Sequence, residues 1–277
     1  MDFTFAERRP TGELGRFVES VWYARGTIPY RRELIAPTGS CVAVVVLGAP
    51  IAAKPLTQDG DALVAQRGYL IGPHDGPVLN EPTGHTHAVG IVTTPVGAGP
   101  VLGVEPARVR GRVVDLPSVW RAADDLRRRL LREDGADAML DLTTAALESG
   151  LRPALPGLDR CARAVEVLRA DPSQEVGDVA RLLGVSHEHL DREFVRHVGL
   201  TPRAFARIGR LNRVLAGLDV FADVRWTQVA ADAGWFDQSH FIRDFKRHTG
   251  TTPSAYLRSQ RAEFTPEDAA PGFVPER

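Results

Sequence analysis

Residues 229–256, VAADAGWFDQSHFIRDFKRHTGTTPSAY, decide the fold of the second half of the chain, because residues 179–205, VARLLGVSHEHLDREFVRHVGLTPRAF, carry the same pattern. The first three matched pairs are fifty positions apart, and the later pairs follow after a one-residue offset. Such a repeat indicates one supersecondary unit used twice. The matched pairs are Val179 and Val229, Ala180 and Ala230, Gly184 and Gly234, Leu190 and Phe241, Arg192 and Arg243, Phe194 and Phe245, Gly199 and Gly250, Thr201 and Thr252, Pro202 and Pro253, and Phe205 and Tyr256.

Each copy predicts a short helix, a tight turn and a second helix. Gly184 allows the positive φ that the first turn needs, and Ser186 and Asp237 are the predicted N-caps of the two second helices. The residues predicted to face inward in the second helices are apolar and recur at four-residue spacing. They are Leu190, Phe194 and Val198 in the first copy and Phe241 and Phe245 in the second.

This arrangement is typical of a helix-turn-helix, which places its second helix in the major groove of DNA. Arg192 and Arg243 are the leading candidates for base contacts, because a guanidinium group matches guanine O6 and N7. Nearby cations are predicted to hold phosphates. The predicted DNA-binding residues are His187, Glu188, Asp191, Arg192, Arg203, Arg207, Gln238, Ser239, His240, Arg243, Lys246 and Arg247.

A long helix is predicted between the two copies. Thr201 and Pro202 occupy its cap and first position, and Phe205, Ile208, Leu211, Leu215 and Leu218 form one apolar stripe. About sixteen helical residues span roughly 24 Å. This length suits a spacer between two helices that enter successive major grooves, about 34 Å apart.

The same residues resemble the AraC family of bacterial regulators over about residues 159–258. The resemblance implies a tandem pair of helix-turn-helix units that binds promoter DNA asymmetrically and follows an effector-sensing or dimerising N-terminal domain. It is carried by the stretch VAADAGWFDQSHFIRDFKRHTGTTPSAYLR, through Ala230, Gly234, Asp237, Ser239, Phe241, Arg243, Phe245, Lys246, Gly250, Thr252, Pro253 and Tyr256.

The second helix of each unit, which is predicted to contact bases, is called its reading helix. The first reading helix departs from the family pattern because its outward face carries Glu188 and Asp191. A basic or amide face would suit DNA better. Either these carboxylates accept hydrogen bonds from cytosine N4, or the first unit mainly contacts the backbone while the second supplies most specificity.

The N-terminal half has a different sequence pattern. Short β-branched runs punctuated by Pro and Gly predict strands over residues 31–95, and apolar spacing predicts a short helix over 13–22 and a helical hairpin over 117–149. The stretches LIAPTGSCVAVVVLGAP and YLIGPHDGPVLNEPTG resemble the sensor half of some AraC relatives, which is loosely cupin-like.

The predicted fold class is therefore α+β. An N-terminal cupin-like antiparallel β-barrel or sheet with a helical hairpin precedes a C-terminal all-α domain, in which a long helix joins two helix-turn-helix units. The predicted boundaries are a sensor or dimerisation domain over 1–152 (β-rich over 1–115, helical over 116–150), a linker over 153–158, a DNA-binding domain over 159–262 and a disordered tail over 263–277.

Composition favours a cytoplasmic protein of two domains. Hydrophobic residues make up 43% and charged residues 25% of the chain, no apolar run is long enough to span a membrane, and the start lacks a secretory pattern. Cys41 and Cys161 are too far apart in sequence for a CxxC motif and are predicted to be inert core thiols. The net charge is −1, but residues 159–262 hold 16 Lys and Arg against 13 Asp and Glu.

An effector site is predicted at the mouth of the β-barrel, lined by Trp22, Tyr23, Arg31 and His74. His85 and His87 alternate on a predicted strand and, with His74, suggest a metal site. No carboxylate follows at the distance that metal-binding cupins use. We therefore predict neither a metal nor a cofactor.

The predicted partners are double-stranded promoter DNA, a small-molecule effector of unknown identity, RNA polymerase and a second copy of the chain, with no membrane. The helix predicted over 136–149 suits a dimer face or packing on its own sheet, and the sequence leaves both open. Two other functions stay open, a cupin-like enzyme fused to a DNA-binding module and a protein-interaction adaptor. The sequence does not distinguish an activator from a repressor.

Overall fold

The computed structural model describes residues 3–57, 62–266 and 271–276. Strands dominate up to residue 115, and helices dominate after it. The strands are β1 Phe3–Arg8, β2 Val18–Gly26, β3 Arg32–Ile35, β4 Val42–Val46, β5 Ile51–Pro55, β6 Leu63–Ala65, β7 Gly68–Ile71, β8 Val78–Pro82, β9 Thr86–Thr93, β10 Val113–Asp115 and β11 Phe273–Glu276. The helices are α1 Gly12–Gly15, α2 Ala98–Leu102, α3 Pro106–Val109, α4 Leu116–Val119, α5 Ala123–Leu130, α6 Ala136–Ser149, α7 Leu158–Ala170, α8 Val176–Leu182, α9 His187–Val198, α10 Pro202–Gly217, α11 Trp226–Asp232, α12 Gln238–Thr249 and α13 Pro253–Glu263.

The strands form two antiparallel sheets that pack face to face. One sheet has the order β1-β2-β9-β4-β7-β10 and the other β11-β3-β8-β5-β6. Because side chains alternate along a strand, Val44 and Val46 of β4 lie between the sheets, whereas Val45 lies on the opposite, helix-covered face. The α+β fold class, with antiparallel sheets before a helical domain, is confirmed.

The predicted helical hairpin corresponds to α5 and α6. Leu126 and Leu130 of α5, and Met139 and Leu147 of α6, are buried in the cluster on the outer face of the six-stranded sheet. α5 contacts β4, and α6 contacts β1 and β2. In this structure α6 therefore packs on its own sheet.

The predicted helix over residues 13–22 is wrong beyond its first turn. α1 ends at Gly15, and the strand β2 begins at Val18. Both faces of β2 are covered, since Val21 and Tyr23 join the helix-side cluster while Trp22 packs against the cluster between the sheets. A strand covered on both faces carries apolar residues at consecutive positions, and this run imitates helical spacing.

One apolar core continues from the N-terminal to the C-terminal part of the chain. It includes Leu14 and Leu140 on one side and Cys161, Phe194 and Phe205 on the other. The segment around the predicted linker has neither helix nor strand from residue 151 to 157, yet it does not separate two cores. Phe205 also closes on an N-terminal loop, where a Cβ built on Gly39 would lie 2.6 Å from its ring.

The predicted disordered tail is wrong at residues 273–276, which form β11. This strand pairs with β3, and Val274 is buried against Leu34 and the helical domain. A tail rich in proline and acidic residues lacks the composition of a folded segment, but here a free sheet edge supplies the pairing. Residues 267–270 and 277 lie outside the described part of the chain. No helix among the described residues is long and apolar enough to cross a membrane.

Candidate nucleic-acid interface

The two copies of the repeat fold into two helix-turn-helix units, α8 with α9 and α11 with α12. The turn glycines Gly184 and Gly234 have φ of +69° and +76°. Ser186 accepts a hydrogen bond from the His189 amide at 3.2 Å, and Asp237 accepts one from the His240 amide at 2.7 Å. The predicted caps and the predicted turn conformation at Gly184 are confirmed, and each second helix begins at a defined residue.

The inward faces of the second helices are fully buried. Leu190, Phe194, Val198, Phe241 and Phe245 have no exposed surface. In the second unit three aromatic rings pack in a row. The ring centroids of Phe241 and Phe245 are 5.6 Å apart, and those of Phe245 and Tyr256 are also 5.6 Å apart. Because these inner faces are occupied, the opposite faces are the ones that can meet another molecule.

The outward face of α12 is polar and mostly exposed. Gln238, Ser239, Arg243 and Lys246 are exposed, and among the described residues Arg243 has no ion-pair partner. His240 is half-buried, with its Nε2 atom 3.4 Å from a carboxylate oxygen of Asp244. This face presents amide, hydroxyl and guanidinium groups from its first turn to its middle.

The outward face of α9 is more acidic. His187, Glu188 and Arg192 are exposed, and Asp191 is half-buried, 3.8 Å from the Nε2 atom of His187. On the following helix, α10, Arg203 is exposed and Arg207 is half-buried. The Nε atom of Arg207 is buried without a hydrogen-bond partner among the described residues.

Arg247, a predicted phosphate contact, is paired within the protein. Its guanidinium group donates to a carboxylate oxygen of Asp75 at 2.9 Å, and the neighbouring His248 contacts the Asp75 carbonyl through Nδ1 at 2.6 Å. Asp75 lies in the loop between β7 and β8. No sequence pattern connects Asp75 with Arg247, because 172 positions separate them.

The same loop, residues 72–77, packs against the C-terminal end of both second helices. The C-cap glycines Gly199 and Gly250 have φ of +80° and +79°. A Cβ built on Gly199 would lie 2.8 Å from Pro73, and one built on Gly250 would lie 3.2 Å from Pro77 and 2.8 Å from Leu34. These close approaches hold both helices at their C-terminal ends and leave their N-terminal ends free. No sequence pattern pointed to Pro73, Asp75 or Pro77 as residues that hold these helices.

The structure does not bring the four predicted effector residues together. Trp22 packs flat on Gly90 and stacks with Phe5 on one face of β2. Tyr23 is buried on the other face, 5.7 Å from the His87 ring. Arg31 is exposed and pairs with Glu81 at 3.1 Å. His74 is buried in the loop of residues 72–77, where its Nδ1 atom lies 2.9 Å from the Gly72 carbonyl. That these four residues contact an effector stays a prediction.

A buried polar network lies between the sheets, at residues that the sequence analysis missed. Glu33 accepts hydrogen bonds from Tyr30 at 2.7 Å and from Asn80 at 2.9 Å, and Asn80 accepts one from Tyr69 at 2.9 Å. Burial raises the pKa of Glu33, while the bonds from Tyr30 and Asn80 oppose this rise. Among the described residues, no group of three or more His, Cys, Asp or Glu side chains could hold a metal ion.

A cleft of about 730 Å³ lies where the N-terminal half meets α7 and the end of α8. Arg16 pairs there with Asp159 at 2.9 Å, and Arg160 pairs with Glu193 of α9 at 2.7 Å. Arg163 is exposed and has no ion-pair partner among the residues that the structure describes. The residues that line the cleft are Arg16, Phe17, Val96, Leu158, Asp159, Arg160, Ala162, Arg163, Glu166 and Leu183.

Comparison with known protein families gives two matches. A helix-turn-helix domain family (HTH_18) matches residues 179–259, and a domain of unknown function (DUF6597) matches residues 6–115. The first match covers both repeat copies and confirms a helix-turn-helix domain there, in agreement with the resemblance of the C-terminal sequence to the AraC family.

Individual proteins give partial similarities. The HTH-type transcriptional regulator RipA of Corynebacterium glutamicum is 30% identical over 111 residues, which are 39% of this chain and 33% of RipA. The chain spans about a third of the length of the curated relatives that it matches.

Several solved structures are also similar to this chain, among them the following two. One is ToxT from Vibrio cholerae, with a TM-score of 0.49 and 11% identity over 92% of this chain and 98% of ToxT. The other is a transcriptional regulator with an AraC-type DNA-binding domain from Chromobacterium violaceum, with a TM-score of 0.35 and 27% identity over 39% of this chain and 96% of that one.

The buried histidines predict a loss of stability in mild acid. Burial lowers the pKa of His74 and of His248 below the ordinary 6.5. Each Nδ1 atom donates to a backbone carbonyl, and each Nε2 atom is buried with no hydrogen-bond partner in the described part of the chain. A second proton on either ring therefore has no acceptor there. Asp75, Asp244 and Arg247 are the charged groups near His248.

A group whose pKa is lowered by folding contributes stability that is complete above pH 6.5 and is lost as the pH falls through the folded-state value. We expect the free energy of unfolding in urea to fall between pH 7 and pH 5, and to fall less steeply in His248→Gln. A wild-type stability that stays constant over this range would contradict this assignment.

Proposed function

We propose that this chain, an AraC-family protein by its C-terminal helix-turn-helix domain, is a sequence-specific DNA-binding transcriptional regulator that responds to a small effector through its N-terminal half. The regulator names of partial relatives agree with this proposal. The matched region is a third of their length, so the proposal depends mainly on the chemistry of this chain.

One observation carries the proposal. The helices α9 and α12 each have a side-chain N-cap, a buried inner face and an exposed outer face. One loop packs against the C-terminal ends of both. Residues near the N-terminus of such a helix reach base edges in the major groove. Arg192 and Arg243 occupy equivalent outward positions and have no ion-pair partner within the described residues, so each guanidinium group is available to guanine.

The two units are proposed to contribute unequally. α12 presents Gln238, Ser239, Arg243 and Lys246, which are neutral or basic, whereas α9 presents Glu188 and an Asp191 that is close to His187. Carboxylates repel phosphates and can accept only from base amino groups, such as cytosine N4. We therefore assign most of the base reading to α12 and a positioning role to α9, with Arg203 and Arg207 near the backbone.

The cleft between the N-terminal half and α7 is the proposed effector site. It adjoins Phe17 of the N-terminal half and Leu183 at the end of α8, so a ligand there would contact both halves of the chain. Arg16, Arg160 and Arg163 make an anionic small molecule the suitable class. Such a ligand would compete with Asp159 for Arg16 and so alter how the first helix-turn-helix is held.

Promoter DNA is the proposed principal partner, and the cytoplasm is the proposed location. No chemical step is required, so we propose a regulator without catalysis, in preference to a cupin-like enzyme fused to a DNA-binding module. RNA polymerase and a second copy of the chain are proposed further partners. The rival function is a pure protein-interaction adaptor. Specific DNA binding would exclude it, and the absence of DNA binding would support it.

Removal of the leading base contact should weaken specific binding. Fragments that the protein selects from genomic DNA would supply the site, and retardation titrations at two salt concentrations would measure its affinity. We expect Arg243→Ala to cost about 1–3 kcal/mol on the selected site, and Arg192→Ala to cost less. Arg129→Ala, an exposed arginine of α5, is the matched control and should change nothing. Unchanged binding by Arg243→Ala would refute its assigned role, and the absence of any selected fragment would favour the adaptor.

Asp75 is expected to compete with a DNA phosphate for Arg247. We expect Asp75→Asn to free Arg247, to raise DNA affinity at low salt, and to steepen the plot of log affinity against log salt by about 0.9, the contribution of one phosphate contact. Arg247→Ala in the Asp75→Asn background should cancel both changes. Arg196, the equivalent residue of the first copy, has no ion-pair partner among the described residues, so Arg196→Ala should not depend on residue 75. An affinity that Asp75→Asn leaves unchanged would show that the pair does not restrain Arg247.

The cleft can be tested without knowledge of the natural effector. A panel of small carboxylates and phosphate esters would be screened for a rise in melting temperature of the full chain. We expect at least one anionic class to raise it, and Arg163→Glu to abolish the rise, because a reversed charge repels the anion. Arg129→Glu, with the same charge change on α5, is the control. Stabilisation that persists in Arg163→Glu would exclude the cleft as the site.

A further inference from the structure

Phe236 is almost completely exposed at the start of the second reading helix. Its relative exposure is 93%, whereas its neighbour Trp235 is 6% exposed and Phe241 is fully buried. Single exposed apolar residues are common on protein surfaces. Phe236 needs an explanation because of its position between a buried aromatic residue and a helix cap, in a turn where the repeat allows a direct comparison.

That comparison identifies Phe236 as an inserted residue. The Val185 amide donates to the Ala180 carbonyl at 3.0 Å, and the Trp235 amide donates to the Ala230 carbonyl at 2.9 Å, so Val185 and Trp235 are equivalent. The cap Ser186 follows Val185 directly. The cap Asp237 follows Trp235 only after one further residue, Phe236, which has no counterpart in the first copy.

Phe236 does not have the packing role that its position usually implies. An apolar residue just before a helix N-cap often packs against the fourth helical residue, which is Phe241 in α12. In this turn Trp235 packs on Phe241 instead, with ring centroids 5.2 Å apart, and its Nε1 atom donates to Asp244 at 3.0 Å. Since Trp235 fills the inner space, the side chain of Phe236 is left on the outside.

The turn holds Phe236 in place beside the reading residues. Asp237 is fixed by its hydrogen bond to the His240 amide, and Trp235 is fixed by Asp244 and by the Arg210 guanidinium group, 5.3 Å from its ring. Gln238 and Ser239, the first two residues of α12, are exposed directly after the cap. The two neighbours therefore fix the chain on either side of Phe236, and its exposed ring precedes the exposed residues of α12 by one cap residue.

We propose that Phe236 reads thymine methyl groups at the edge of the site that α12 contacts. This inference rests on the proposed function and names a specificity residue for it. A phenyl ring has no hydrogen-bond donor or acceptor for base edges, and thymine is the base that presents an apolar group, its C5 methyl, in the major groove. The insertion of Phe236 thus gives the second unit an apolar contact that the first unit lacks.

The test replaces the methyl group and the ring in turn. The probe is the duplex selected by the wild-type full chain, with each thymine exchanged singly for deoxyuridine, which removes only the methyl group. We expect one or two of these exchanges to weaken wild-type binding by about four-fold, the effect of one buried methyl-sized group. Phe236→Ala should bind the thymine duplex more weakly by at least that factor and should no longer respond to the exchanges, while Phe236→Leu should keep part of the response.

Controls separate this inference from the proposed function. Leu182→Ala removes another exposed apolar side chain next to a helix-turn-helix turn. It should leave the affinity change caused by each uridine exchange as it is in the wild type. The melting temperature of Phe236→Ala should equal that of the wild type. If the wild type binds a site specifically but Phe236→Ala has the same affinity or keeps every uridine response, the inference is overturned alone. A transcription defect in Phe236→Ala with normal DNA binding would also overturn it, in favour of a protein partner. Failure of the wild type to select any DNA would overturn both.

Discussion

The close packing of two glycine turns against one loop is the contact on which the functional arrangement depends. Gly199 and Gly250 end the two reading helices in the left-handed conformation; a Cβ on Gly199 would lie 2.8 Å from Pro73, and one on Gly250 would lie 2.8 Å from Leu34 and 3.2 Å from Pro77. A packed interior resists deformation because few voids exist to absorb a shift. The loop of residues 72–77 therefore fixes the C-terminal ends of both helices to the N-terminal half and leaves the N-terminal ends free to meet DNA.

This contact also provides a route by which the N-terminal half can influence DNA binding. The loop supplies the Asp75 carboxylate to Arg247 and the Asp75 carbonyl to His248, and the apolar core continues from the sheets into α7, α9 and α10. Coupling between sites requires an element whose arrangement both sites affect. A loop that touches both reading helices, together with a cleft that borders α7 and the end of α8, meets this physical requirement.

The two repeat copies share a scaffold and differ in their surfaces. Caps, turn glycines and inner apolar positions are equivalent, because each copy must bury one face of a short helix. The outer faces are not constrained in this way. The first carries Glu188 and an Asp191 that lies near His187, and the second carries Arg243 and the inserted Phe236. A duplicated fold has thus become an asymmetric pair, suited to a DNA site whose two halves differ.

The sequence by itself determined the features that depend on near neighbours. Caps such as Ser186 and Asp237, and the buried spacing of Phe241 and Phe245, involve residues at most four positions apart, so the repeat predicted them correctly. Tertiary structure alone decided the features that depend on distant partners. Residues 18–22 became a strand because two layers cover both of its faces, residues 273–276 became ordered because β3 offered an edge, and Arg247 met Asp75 across 172 positions. Local patterns cannot specify such contacts, since a partner distant in sequence approaches only after the chain has folded.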